Sequence, residues 1–186
     1  PQTARRLRTT YYDTADLRLA RWGASLRFRP GEGWTVKLPE GQDGALLVRA
    51  EHVFPGDGRK PPTEAVALVR AFVRTGQLAP AVRMRTLRRP VELREPAGSR
   101  LAELADDDVQ VLDGRRIVSR FRELEVELDE AADDDLLDQV VERLVEAGAQ
   151  PDDPTPKYLR ALGGRERTLG PEIVPPELDG GASVDA

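Results

Sequence analysis

Hydrophobic and polar residues alternate along much of this chain. In "FRELEVELDE", residues 121–130, Leu124, Val126 and Leu128 fall on one side and Glu123, Glu125 and Glu127 on the other. Successive side chains of a strand point to opposite faces, so this period of two predicts a strand. "RRLRTTYYDT" is β-branched and aromatic and closes at the turn former Asp13. After the connector "ADLRLARWG", "ASLRFRP" sets Leu26 and Phe28 against Arg27 and Arg29. Gly31 and Gly33 predict a hairpin into "WTVKLP", where Trp34, Val36 and Leu38 oppose Thr35 and Lys37. "ALLVRAEHVF" repeats the arrangement, with Val48, Ala50 and Phe54 against Arg49 and Glu51.

In "AVRMRTLRRPVEL" the parity changes: Val82 and Met84 are even, whereas Leu87, Val91 and Leu93 are odd. A bulge near Thr86 and Leu87 would keep Arg83, Arg85, Arg88 and Glu92 on one face. "RLAELADDDVQVL" follows, with a turn at Asp113 and Gly114. Helical spacing takes over in "PPTEAVALVRAFVRTG", opened by Pro62 and Thr63 and closed by Gly76. "DDDLLDQVVERLVEAG" has an acidic first turn, a seam of Leu136, Val140 and Leu144, and Gly148 as its stop. A short helix is expected around "PKYLRAL", before a Gly-, Pro- and acid-rich segment that reads as linker or tail. Many strands, few helices and no βαβ alternation predict an antiparallel α+β domain over residues 1–162, with a tail over 163–186.

The length of 186 residues and 39% hydrophobic content suit one domain with a proper core. A formal net charge of −5 argues against a general nucleic-acid or anionic-membrane binder. With no cysteine and a single histidine, His52, thiolate and multi-histidine metal sites are excluded. His52 lies on the apolar parity of its strand and reads as structural, and Trp22 and Trp34 read as packing residues. No apolar run reaches membrane-span or signal-peptide length, so a cytoplasmic location is expected. Lysine occurs only at positions 37, 60 and 157. The chain begins at Pro1 without an initiator methionine, which suggests further residues upstream.

Long charged residues at alternate strand positions admit two readings. Each such face is simply solvated, or the faces close around a lumen that holds a multivalent anion and a divalent cation. Periodicity alone leaves both open.

The stretch "YYDTADLRLARWGASLRFRPGEGWTVKLP" resembles the signature of the CYTH superfamily, the triphosphate tunnel metalloenzymes. The matching residues are Tyr12, Asp13 and Thr14, then Leu19, Gly23, Leu26, Arg27 and Arg29, then Thr35 and Lys37. "RAEHVF", "RMRTLRR", "ELEVEL" and "PKYLRAL" follow in the family's order, so the resemblance covers roughly residues 5 to 162. It implies a closed, eight-stranded antiparallel tunnel with a charged lumen and helices packed outside. It also implies Mg²⁺- or Mn²⁺-dependent hydrolysis of an inorganic or organic triphosphate, or else a non-catalytic polyphosphate- or nucleotide-binding module. Proteins of this type are often joined to a C-terminal, histidine-rich CHAD domain. The family's first-strand Glu-x-Glu-x-Lys motif is absent before Tyr11, and a strand carrying it is expected upstream of Pro1.

The resemblance assigns phosphate binding to Arg27, Arg29, Lys37, Arg85, Arg88 and Lys157. Guanidinium forks suit phosphate oxygens, and the ammonium adds a compact charge. Glu123 and Glu125 match the acidic pair that binds the divalent ion and supports catalysis, and Glu127 would complete the cluster. Asp107, or its neighbour Asp106 or Asp108, either adds a ligand or belongs to an acidic turn. Arg49 and Glu51 are expected to form an internal ion pair. The cations would hold the triphosphate in line while a carboxylate orients the attacking water.

Overall fold

The computed structural model describes residues 2–43, 46–129, 132, 135–150 and 155–165. Seven strands form one sheet: β1 Arg5–Asp13, β2 Ser25–Arg29, β3 Gly33–Asp43, β4 Leu46–Phe54, β5 Ala79–Arg94, β6 Arg100–Asp113 and β7 Arg116–Leu128. Their order is β4-β3-β2-β1-β5-β6-β7, and every neighbouring pair is antiparallel. The helices are α1 Arg18–Arg21, α2 Thr63–Val73, α3 Asp135–Glu146 and α4 Lys157–Leu162. This is the antiparallel α+β architecture that the alternation predicts. Among the described residues the sheet is not closed, and β4 and β7 are its edges. "RRLRTTYY" pairs on both sides, with β2 and β5, whereas among the described residues the strand of "ELEVEL" pairs only with β6.

The hairpin expected at Gly31 and Gly33 forms, with Arg29 opposite Gly33. At Gly33 φ is +88°, and a Cβ there would run into the Phe54 carbonyl, so only glycine fits.

Two cores lie on opposite faces. On the outer face of β2 and β3, Leu26, Trp34 and Val36 pack beneath Ala65, Val69 and Val73 of α2, joined by Leu19 and Tyr12. On the inner face of β1, β5 and β6, Tyr11, Val82, Met84, Val109 and Val111 pack against Tyr158 and Leu162 of α4.

That inversion removes the bulge expected near Thr86 and Leu87. The β5–β6 register runs unbroken from Arg83 to Leu93, and its irregularity falls at Leu93/Arg94. Strict alternation turns Val82, Met84, Thr86 and Arg88 to the inner face and Arg83, Arg85 and Arg89 outward. The parity change marks an exchange of which face is apolar, not an extra residue.

The tail expected over 163–186 lies almost wholly outside the described residues. No helix among the described residues is long and apolar enough to cross a membrane.

Candidate functional site: a cavity with opposed charged walls

The inner face of the sheet lines a cavity of about 340 Å³, to which the start of α4 adds Lys157 and Tyr158. Pairing fixes which side chains reach it. Tyr11 stands opposite Arg27, Arg27 opposite Thr35, and Ser25 opposite Lys37, which in turn stands opposite Glu51. Across the sheet, Arg88 stands opposite Asp107, which stands opposite Glu123.

The β2–β4 wall is cationic. Arg29 is buried; its Nε donates to Thr9 Oγ1 at 3.1 Å and its Nη1 to Glu32 at 2.8 Å. Burial, and then the neighbouring Arg27, pull its pKa below the ordinary value. Lys37 Nζ sits 2.6 Å from Glu51, while Arg27 reaches the same carboxylate only at 3.7 Å. Burial opposes the charge on Glu51, but the hydrogen bond and charge of Lys37 hold its carboxyl below the usual value. The pair expected between Arg49 and Glu51 is not made. Arg49 donates to the Gly23 carbonyl at 3.0 Å, and Glu51 goes to Lys37. The Nε atoms of Arg27 and Arg49 are buried without a hydrogen-bond acceptor, so this wall retains unused donors.

The β6–β7 wall is acidic. Asp107 is fully buried and receives Arg88 through a two-pronged contact, Nε to Oδ1 at 2.9 Å and Nη2 to Oδ2 at 2.7 Å. The same Nη2 donates to Glu125 Oε2 at 3.0 Å. From the first turn of α4, Lys157 Nζ donates to Asp107 at 2.6 Å and Glu125 at 3.3 Å, and lies 2.8 Å from Glu123 Oε1. Burial would raise the Asp107 pKa, but hydrogen bonds from Arg88 and Lys157 outweigh it and lower it. Glu125 goes the other way, lifted mainly by burial. Burial also depresses the Lys157 ammonium to about 8. A lysine buried among carboxylates is thus less comfortable as a cation than one in water.

Three of these carboxylates meet. Asp107, Glu123 and Glu125 each place one oxygen within 4.8 Å of the others. Glu123 Oε1, although close to Lys157, is buried without an aligned hydrogen-bond donor. A cluster of hard oxygen donors with an unsatisfied lone pair fits a divalent ion such as Mg²⁺ or Mn²⁺.

The sequence-derived set divides on this geometry. Arg27, Arg29, Lys37, Arg88, Glu125 and Lys157 line the cavity, and Glu123 joins Glu125 behind Lys157. Glu127 lines the cavity but stands outside the three-carboxylate group. Arg85 does not reach the cavity: it is exposed on the outer face, because no bulge intervenes between it and Arg88. His52 is exposed, Trp22 is 53% exposed, and Trp34 is fully buried in the outer core. No acidic turn forms at 106–108. The strand runs through, and its alternation sends Asp107 in with Val109 and Val111 while Asp106 and Asp108 face out.

One support was not anticipated. Asp13, also fully buried, accepts the backbone N–H groups of Thr14, Leu19 and Ala20 and the Tyr158 hydroxyl at 2.9 Å. Tyr158 stacks on Tyr11, with ring centroids 4.7 Å apart. These contacts seat α4, and hence Lys157, over the acidic wall. The tyrosines carried no visible partner in the sequence, since the contact joins residues 145 positions apart.

The chain belongs to the CYTH domain family, whose sequence profile matches residues 2–158. It is 36% identical to two uncharacterized proteins of Mycobacterium tuberculosis, MT2285 of strain CDC 1551 and Rv2226 of strain H37Rv. Each match covers 84% of this chain but only 34% of the relative, so the chain spans about a third of their length. Its fold is similar to the crystal structure of a candidate adenylate cyclase from Bacillus halodurans. There the TM-score is 0.55 at 17% identity, covering 84% of this chain and 82% of that one.

Proposed function

We propose that the cavity binds a triphosphate, inorganic or nucleoside, and hydrolyses it with the help of Mg²⁺ or Mn²⁺. The observation that carries the reading is the opposition of unused cationic donors on β2–β4 to a three-carboxylate cluster on β6–β7.

Charge balance argues for a metal. Arg27, Arg29, Lys37, Arg49, Arg88 and Lys157 line the cavity with Glu32, Glu51, Glu125 and Glu127; with Asp107 and Glu123 behind them and Arg160 at 3.7 Å from Glu123, seven cations stand against six carboxylates. A bare triphosphate would add several uncompensated negative charges to a cavity already near neutrality, at a cost set by its reduced dielectric. A divalent ion entering with it offsets that cost. Asp107, Glu123 and Glu125 would hold the ion, and bound there it would neutralise charge on the phosphoryl oxygens.

The protein's own groups do the rest. Arg27 and Arg29 direct guanidinium forks at phosphate oxygens, and Lys37 adds a point charge beside them. Arg88 holds Asp107 and Glu125 in register, and Lys157 offsets part of the acidic wall's charge before ligand arrives. A carboxylate of the same wall would orient the attacking water. Catalysis is then mostly positioning and electrostatics. In the longer relatives the remaining sequence leaves room for a further domain, for which a CHAD domain is our proposed occupant.

The test is phosphate release from tripolyphosphate, ATP and thiamine triphosphate, with and without Mg²⁺. Glu125→Gln should abolish metal-dependent release, and Arg27→Ala should raise KM for the triphosphate with less change in metal affinity. Tight, metal-dependent binding without release from any substrate would instead establish a non-catalytic phosphate- or nucleotide-binding module. Equal, minor effects of both substitutions would sink the site altogether.

A further inference from the structure

Lys157 stands among the three clustered carboxylates, not merely beside them. Its Nζ lies 2.6 Å from Asp107 Oδ2, 2.8 Å from Glu123 Oε1 and 3.3 Å from Glu125 Oε2. These are the three residues that bring one oxygen each within 4.8 Å of the others. The ammonium therefore fills the place on which their oxygens converge, and its side chain is only 9% exposed. A divalent ion held by Asp107, Glu123 and Glu125 needs the oxygens that Lys157 engages. Two cations in contact with the same oxygens repel strongly where the dielectric is reduced, so one must give way.

Arg88 and Lys157 both donate to this group, and they are held very differently. Arg88 stands directly opposite Asp107 in the β5–β6 ladder and grips both its oxygens, at 2.9 and 2.7 Å. Its planar fork makes that two-pronged contact specific and strong. Lys157 reaches the wall from α4, through a single nitrogen on a flexible stem. Its contact with Glu123 is one of charge, since Glu123 Oε1 is buried without an aligned donor. An ammonium is also compact and strongly hydrated, which lowers the cost of its return to water. Lys157 is the cation to yield.

We propose that Lys157 is a tethered counter-cation, whose ammonium holds Asp107, Glu123 and Glu125 together and leaves them when a divalent ion binds. This rests on the reading of the acidic wall as the metal site. Metal binding is then an exchange, and the affinity for Mg²⁺ or Mn²⁺ is set partly by the cost of displacing the protein's own lysine. The freed ammonium stays on a stem rooted in the cavity wall. A triphosphate gives it a new partner there, so metal and triphosphate favour each other's binding.

The test is binding of Mg²⁺ and Mn²⁺, without triphosphate, to the 186-residue chain and to its Lys157→Met and Lys157→Arg variants by titration calorimetry. Lys157→Met removes the charge at similar length and should tighten metal binding about tenfold, the order expected for deleting one unit charge at close range. Lys157→Arg keeps the charge and should not tighten it. A lysine that merely supported the fold would give the opposite sign, because a loosened wall holds the ion more weakly. A second readout uses the unaltered protein, in which lysine occurs only at positions 37, 60 and 157, so the side-chain ammonium signals are separable by NMR. Saturating Mg²⁺ should shift the Lys157 signal and hasten exchange of its protons with water, leaving that of the exposed Lys60 unchanged. Metal binding by Lys157→Met but not by the parent would support the proposal. Equal or weaker binding by a folded Lys157→Met, or a Lys157 signal unmoved in a parent that binds Mg²⁺, would overturn it alone. No metal binding by either protein would overturn the metal-site reading, and this proposal with it.

Discussion

The two halves of the sheet solve the same problem in opposite senses. In β2 and β3 the apolar side faces outward under α2 and the charged side faces the cavity. In the neighbouring stretch of β5 and β6 the apolar side faces inward under α4, and arginines occupy the outside. The exchange happens within β5 itself. Met84 is buried inside, whereas Arg88, two alternations along on the same face, belongs to the charged wall. Hydrophobic patterning therefore reports which face a helix covers, and that need not be the same face along one strand.

Truncating the two cores breaks the comparison most directly. Trp34→Ala should cost about 3–5 kcal/mol and Met84→Ala about 2–5 kcal/mol, both read by denaturant unfolding. Only the second should also disturb the cavity, because Met84 shares its core with Tyr158. A Trp34→Ala protein that keeps full ligand affinity per folded molecule, beside a Met84→Ala protein that does not, would confirm that only α4 is tied to the site.

Acid probes the seam between the halves. Asp107, held below its ordinary 3.8 by Arg88 and Lys157, contributes stability that is complete above that value. The contribution disappears as pH falls through the lower folded-state pKa, where the carboxylate takes up a proton. Asp107→Asn should therefore be less stable than the parent at neutral pH, and the gap should narrow as the pH falls below the usual carboxylate range. A gap that stays constant from pH 7 down to pH 2 would show that the carboxylate's charge is not what holds this wall. The smallest effect belongs to the outer arginines: Arg85→Gln should change stability by no more than about 0.5 kcal/mol, since the side chain is exposed and unpaired.

Much of this was legible in the chain. The alternation of Leu26 and Phe28 with Arg27 and Arg29, and of Val126 and Leu128 with Glu125 and Glu127, placed those strands and their charged sides correctly. Gly33 marked its hairpin. What the pattern could not show was the inward packing of α4, because Tyr158 finds Tyr11 and Asp13 only in the folded chain. Without that helix, Val82 and Met84 seemed to need a bulge, and Arg85 was placed inside. Asp107 was recoverable from its parity with Val109 and Val111, but the run of three aspartates gave turn and strand equal claim.

The contact between Asp13 and Tyr158 also bears on how the protein is made. It joins residues 145 positions apart, the kind of long-range closure that makes folding slow. Asp107, Glu123 and Glu125 all leave the ribosome before Lys157, whose ammonium holds them together in the finished fold. During synthesis, then, the growing chain carries an acidic wall with Arg88 as its earlier counter-charge, and Glu123 waits for α4. Until α4 is made, the acidic wall lacks Lys157 and the inner core lacks Tyr158 and Leu162, so the site and the core beneath it depend on the same late segment.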